Sequence, residues 1–221
     1  MKGVIASRCQ ARIADLTHEI APFDVWEAAF FLRDVVAYWP EGTLFVCVVD
    51  PGVGTARRIV AIESGGRFFL APDNGLLHFV AAGLGGAAYS VTNESLFLPD
   101  GSNTFHGRDR FAPVAAAIAN GARIDELGPG VNDCVLLDYQ PGTIVRIDRF
   151  GNCLTDIVPP PAPFAIVVRG VRIDNVRTTY GGVNAFVIVG STGCIEISVA
   201  NASAATLLQL SRGDRVTIVP G

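Results

Sequence analysis

The stretch VVDPGVGTARR, residues 48–58, gathers groups that can handle water and charge. An apolar run ends in Asp50, turns through Pro51-Gly52-Val53-Gly54, and delivers Arg57 and Arg58. A carboxylate at the mouth of a strand can accept the hydrogen of a water molecule. A guanidinium beside it can fix the carboxylate or stabilise hydroxide. The glycines permit close backbone approach, and ligands of α/β sheets bind beyond the carboxyl ends of the strands, where Asp50 stands. A dinucleotide fingerprint would need a third glycine where Arg57 stands, and no Lys-Ser/Thr pair follows to hold a phosphate. Taken alone, the stretch is equally compatible with Asp50 as a turn former and Arg57 as a surface cation.

A second group lies in NTFHGRDRF, residues 103–111, where His106 is one of three histidines in the chain. Polar, glycine-containing sequence directly ahead of a helix suits a site loop. His18 and His78 read as structural. APDNG (71–75) reads as a strand-to-turn signal, with a plain turn as its simpler meaning. In IDRFGN (147–152), Asp148 and Asn152 flank an aromatic and a glycine. They can hold an amine and the edge of a heterocycle, or form an ordinary turn. Metal binding is disfavoured, since no HxH, HExxH or Cys/His cluster occurs. Neither GxSxG nor SxxK announces a covalent nucleophile. Direct displacement by water fits this inventory best.

The elements that must position these residues follow from periodicity. Leu44 to Val49 is a continuous apolar run, predicting a strand covered on both faces. Ile59–Ile62 and Phe68–Leu70 predict two more strands around the turn Ser64-Gly65-Gly66. Asp24 to Ala37 predicts a helix with Asp24 as N-cap, and Phe111 to Asn120 a short Ala-rich one stopped by Gly121. Residues 1–135 thus form an N-terminal α/β domain with a largely parallel or mixed sheet. From 142 to 221 short β-rich runs recur without helices: Thr143–Ile147, Ala165–Val168, Ala185–Val189, Cys194–Val199 and Arg215–Val219. They predict a small C-terminal β-barrel or sandwich. The run Gly83-Leu84-Gly85-Gly86 carries no signal.

With 221 residues, half of them hydrophobic, the chain can bury a sizeable core. A net charge of −4 without a Lys/Arg run argues against a nucleic-acid partner. Five cysteines, none in a CxxC pair, read as free thiols in a reducing cytoplasm. No signal peptide and no apolar run long enough for a bilayer are expected.

DLTHEI, PFDVWEAAF, PEGTLFVCVVDPGVGTARR, APDNGLL, TFHGRDRFAPVAA and IDRFGN, in that order, resemble one family across essentially the whole chain. It is the S-adenosylmethionine hydrolase (adenosine-forming) family, or SAM hydroxide adenosyltransferases, relatives of fluorinase and chlorinase. The resemblance implies an N-terminal α/β domain and a C-terminal β-barrel. It further implies a homotrimer with interfacial sites, and no metal or cofactor. The implied reaction is attack of water or hydroxide on C5′ of S-adenosylmethionine, giving adenosine and methionine. By motif, Asp50, Arg57 and His106 would surround the attacking water. Asp148 would receive the methionine ammonium and Ser191 its carboxylate. Asn152 and the backbone near Asn201 would contact adenine, and Phe23 would line the substrate pocket. Asp50, where fluorinases carry a tyrosine, and His106-Gly107, where they carry a halide-binding serine, imply water and not halide as nucleophile.

Family members also begin with a strand ending in a Thr-Asp-Phe-Gly-like turn whose Asp grips the ribose. Since that strand precedes Met1-Lys2-Gly3, it is expected to be absent here. The expected consequences are a ribose affinity lower by about 1.5–3 kcal/mol and an open sheet edge. A non-catalytic S-adenosylmethionine- or adenosine-binding protein is the alternative this leaves, and a generic nucleoside-cleaving hydrolase a third reading.

Overall fold

A computed structural model describes residues 1–83 and 86–221; Leu84 and Gly85 of the glycine-rich run lie outside the described residues. The chain divides into two compact units, Met1–Leu137 and Asp138–Gly221.

In the first unit the elements are α1 (Lys2–Ala6), α2 (Val25–Val36), β1 (Leu44–Val46), β2 (Ile59–Ser64), β3 (Arg67–Pro72), α3 (His78–Gly83), β4 (Ala87–Ser90), α4 (Ala112–Ala119) and β5 (Gly130–Val131). The sheet order is β1-β3-β2-β4-β5, with β1 outermost. Only β1 and β3 run parallel, and the other pairs are antiparallel. The sheet is therefore mixed.

Alternation along the strands sends side chains to opposite faces. Val60, Ile62, Phe69 and Ala71 pack with Ala28 and Leu32 of α2 and Val80 of α3. Ile59, Ala61 and Leu70 pack with Val114, Ala115 and Ile118 of α4. The result is a sheet covered on both faces. Asp24 caps α2, its side chain accepting from the Glu27 N–H at 2.9 Å. β1 is shorter than the apolar run to Val49 predicts. Its register sets Val46 against Leu70, so two residues on it would face Pro72, which has no N–H to give. The ladder ends there.

The second unit contains β6 (Ile144–Ile147), β7 (Cys153–Thr155), β8 (Phe164–Val168), β9 (Val171–Ile173), β10 (Val176–Arg177), β11 (Phe186–Val189), β12 (Ile195–Ser198), α5 (Ala204–Leu207) and β13 (Val216–Pro220). One sheet has the order β10-β11-β12-β7-β6 and a second β13-β8-β9. A bridge between Thr143 and Arg215 links the edges of β6 and β13, with Ile144 N–H donating to the Asp214 carbonyl at 2.9 Å. Ile144, Cys153, Ile166, Val187, Ile195, Ile197 and Val216 form its core. α5 and the short strands β7, β9 and β10 depart from the expected helix-free pattern of five strands, being too brief for periodicity to register. All five cysteines are free; Cys9 and Cys153 are buried and the others half-buried. Among the described residues no helix is long and apolar enough to cross a membrane.

Phe69 is fully buried and stacks on Phe45, centroids 5.1 Å apart. Phe69→Ala should destabilise the first unit by about 3–5 kcal/mol. Urea unfolding followed through Trp26 and Trp39, both in this unit, measures it; a loss below about 1 kcal/mol would contradict the packing.

Candidate active site

Asp50 and Arg57 are brought together by the turn between β1 and β2. Thr55 N–H and Oγ1 both donate to the Gly52 carbonyl, at 3.1 and 2.7 Å, which curls the loop back on itself. Gly54 has φ +78°, and a Cβ there would lie 2.6 Å from the Asn103 carbonyl. Only glycine lets this loop meet the segment that carries His106.

Arg57 Nε donates to Asp50 Oδ1 at 2.9 Å and Oδ2 at 3.0 Å, and Arg57 Nη2 donates to Oδ2. The side chains are 9% and 6% exposed, so the pair is close to fully desolvated. The same Nη2 lies 2.9 Å from His106 Nδ1, and the guanidinium carbon sits 5.6 Å from the centre of the Phe111 ring. One planar cation thus touches a carboxylate, an imidazole and an aromatic ring.

His106 opens a π-helical turn, Gly107–Phe111, which leads into α4. Buried Asp109 braces that turn: its Oδ2 accepts from Ser102 N–H at 2.7 Å, and its carbonyl accepts from Leu98 N–H at 2.9 Å. A guanidinium can only donate, so Nδ1 of His106 accepts and the imidazole proton resides on Nε2. Nε2 is buried and has no partner among the described residues. An orphaned buried N–H calls for a ligand or water. Burial lowers the His106 pKa, Arg110 and Arg57 lower it further, and Asp50 and Asp109 oppose them. The ring is neutral near pH 7, acting as a donor at Nε2.

Asp148 and Asn152 meet in the second unit. Asp148 Oδ1 accepts from Phe150 and Asn152 N–H, both at 2.9 Å, and Oδ2 accepts from Asn152 Nδ2 at 3.0 Å. Asp148 is half-buried, and no cationic side chain of the described residues pairs with it. Gly151, at φ +83°, packs directly on Ser203, the N-cap of α5, which places the IDRFGN turn against the segment just after Asn201. Asn201 itself adopts a left-handed φ of 56° and is exposed. Ser191 is exposed in the turn between β11 and β12, with no hydrogen bond to Asp148 or Asn152. Phe23 also has a left-handed φ, 69°, and is 76% exposed. Such a conformation is strained for a bulky residue. Arg110, a half-buried cation stacked 5.3 Å over Phe97 and four residues beyond His106, is a neighbour that motif reading did not single out.

The chain matches the SAM hydroxide adenosyltransferase N-terminal domain over residues 1–128 and the corresponding C-terminal domain over residues 142–217. It belongs to that family. It is 38% identical to an (R)-S-adenosyl-L-methionine hydrolase of Salinispora tropica, over 95% of this chain and 87% of that protein. Against the protein of the same description in Salinispora arenicola the identity is 36%, over 99% of this chain and 91% of the relative. A crystal structure of an uncharacterized conserved protein from Thermotoga maritima superposes with TM-score 0.90 at 30% identity, covering 99% of this chain and 93% of that one.

Between the ordinary histidine value, about 6.5, and the lower value that burial gives His106, the unfolded chain binds more protons than the folded one. Stability present above about pH 6.5 is therefore lost as pH falls through that window. NMR titration should give His106 a midpoint below about 6.5, and Arg110→Gln should raise it. An unshifted midpoint would refute the neutral, Arg57-bound imidazole. Separately, Gly54→Ala should destabilise the chain and misalign Arg57 with His106, read as a lower melting temperature and a changed His106 ring signal.

Proposed function

We propose that this chain hydrolyses S-adenosyl-L-methionine to adenosine and L-methionine, with Asp50, Arg57 and His106 as its catalytic residues. The observation that carries the reading is the buried Asp50–Arg57–His106 group, with its unpartnered Nε2–H, in a member of this family. Attack at C5′ forms a C–O bond and breaks the C–S bond. The bonding pair returns to sulfur, turning the sulfonium into the neutral thioether of methionine. The leaving group needs no proton, so the site's task is to hold and activate water.

Asp50 supplies acceptor lone pairs for one hydrogen of that water and takes up its proton on the way to solvent. Arg57 holds the carboxylate that accepts from this water, and the His106 Nε2–H, on the side of the ring away from Arg57, offers a donor to a further water or to substrate. Asp148, braced by two backbone amides and unpaired with any cationic side chain of the described residues, takes the methionine ammonium. Ser191 takes the carboxylate, Asn152 and the backbone near Asn201 meet adenine, and Phe23 lines the pocket. We further propose that residues 142–221 form a β-barrel domain and residues 1–135 an N-terminal domain. The protein would work in the cytoplasm as a homotrimer with sites at subunit interfaces, using no metal or cofactor. The relatives' description extends the proposal to the (R) epimer of the sulfonium as substrate.

Purified protein incubated with S-adenosylmethionine, with and without chelator, should release adenosine and methionine equally in both. Separate (R) and (S) epimers should show faster loss of (R). Asp50→Asn and His106→Ala should each lower kcat by about 100-fold or more, comparable to loss of a preorganised donor, while circular dichroism stays native. Binding of S-adenosylmethionine by calorimetry without either product would instead support a non-catalytic binding protein.

A further inference from the structure

Two adjacent residues, Asn74 and Asp73, grip the two ends of the loop carrying Asp50 and Arg57, one at each end. At its entrance, Asn74 Nδ2 donates to the Val49 carbonyl at 2.9 Å, immediately before Asp50. Asn74 is itself held, its Oδ1 accepting from Leu76 N–H at 3.2 Å and its N–H donating to the Pro72 carbonyl at 3.0 Å. At the exit, Asp73 N–H donates to the Arg58 carbonyl at 2.9 Å. The Asp73 carboxylate, 3% exposed, accepts from Arg58 Nε at 2.9 Å and Nη2 at 2.6 Å. Its other oxygen accepts from Val135 N–H at 2.8 Å, and Arg58 Nη1 reaches Asp133 at 2.8 Å.

Asp50 and Arg57 lie directly inside those two grips, Arg57 turned to the site and Arg58 to the anchor. The Asn74 bond is made where β1 has run out of ladder partners, so nothing in the sheet replaces it. We propose that Asp73 and Asn74 are positioning residues that set the distance between Asp50, Arg57 and His106 by clamping the ends of the loop from outside. For its kinetic consequence this rests on the reaction proposed above; the geometric claim stands without it.

Asn74→Asp keeps the shape and the bond from Leu76 but cannot donate to Val49. Asp73→Asn keeps an acceptor for Arg58 but loses the charge. Arg58→Lys keeps a cation and loses the fork, and serves where Asp73→Asn does not fold. Each should lower kcat at least about tenfold while KM for S-adenosylmethionine moves less than about threefold, the pattern of small misplacement in a reacting group. The ¹⁵N signals of the His106 imidazole, which report its bond from Arg57, should shift in the same variants, and Asp125→Asn in an exposed surface pair should change neither readout. Unchanged imidazole signals in folded Asn74→Asp and in the folded anchor variant would overturn the clamp, as would a loss confined to KM. Should the wild-type protein release no adenosine, the proposed reaction fails alone and the imidazole signals still decide the clamp.

Discussion

The first unit is organised around one desolvated cation. Removing a single partner from a buried ion pair costs about 3–5 kcal/mol, because the remaining charge is left without water. Arg57 therefore constrains everything near it: Asp50, in the loop beyond β1, must point at it, and Phe111 must offer a ring face. His106 must present Nδ1 rather than Nε2. An unpaired guanidinium at this depth would be expelled, and the loop with it.

Two backbone devices satisfy that constraint. The DPGVG turn comes close to Asn103 only because Gly54 lacks a side chain. A π-helical turn supplies the second, since an α-helical start from His106 would rotate the imidazole by a different amount per residue. Asp109, buried and fixed to Ser102 and Arg108, holds the widened turn open. Both devices are local departures from regular structure, and both sit where charged groups must converge. Strain tolerated at such positions is what a positioned site costs in ordinary stability.

Much of this was legible in the sequence, for identifiable reasons. The Asp24 cap, the helix behind it and the β2–β3 hairpin are read from short-range pattern alone, and the structure contains them. The closeness of Asp50 to Arg57 follows from a seven-residue turn, whereas that of His106 depends on a contact 49 residues away along the chain. Composition cannot supply such a contact; ordered family motifs could suggest it. APDNG folds as the strand-to-turn it reads as, but its long-range bonds are hidden for the same reason. Asp-Asn-Gly is ordinary turn chemistry locally, and its grip on Val49 and Arg58 exists only once β1 and β3 lie side by side. IDRFGN, open between a ligand-holding pair and an ordinary turn, folds as a turn whose two polar side chains bond to each other. β1 stops early because of Pro72 in its neighbour, a cross-strand effect that no window along the run can contain.

The tautomer of His106 ties these threads to chemistry. An imidazole free to choose would place its proton on either nitrogen; here Arg57 takes the Nδ1 lone pair and removes the choice. The proton left on Nε2 then faces no acceptor among the described residues, which costs about 1–3 kcal/mol until something accepts it. Arg57 and Arg110 both act on the ring as cations, while the carboxylate of Asp109 is engaged by Arg108 and Asp50 is engaged by Arg57. The local balance favours an anion, or a water on its way to becoming one, against Nε2. A sulfonium asks for no acid, since it departs as a neutral thioether. A histidine fixed as a donor is then of more use than one free to act as a base.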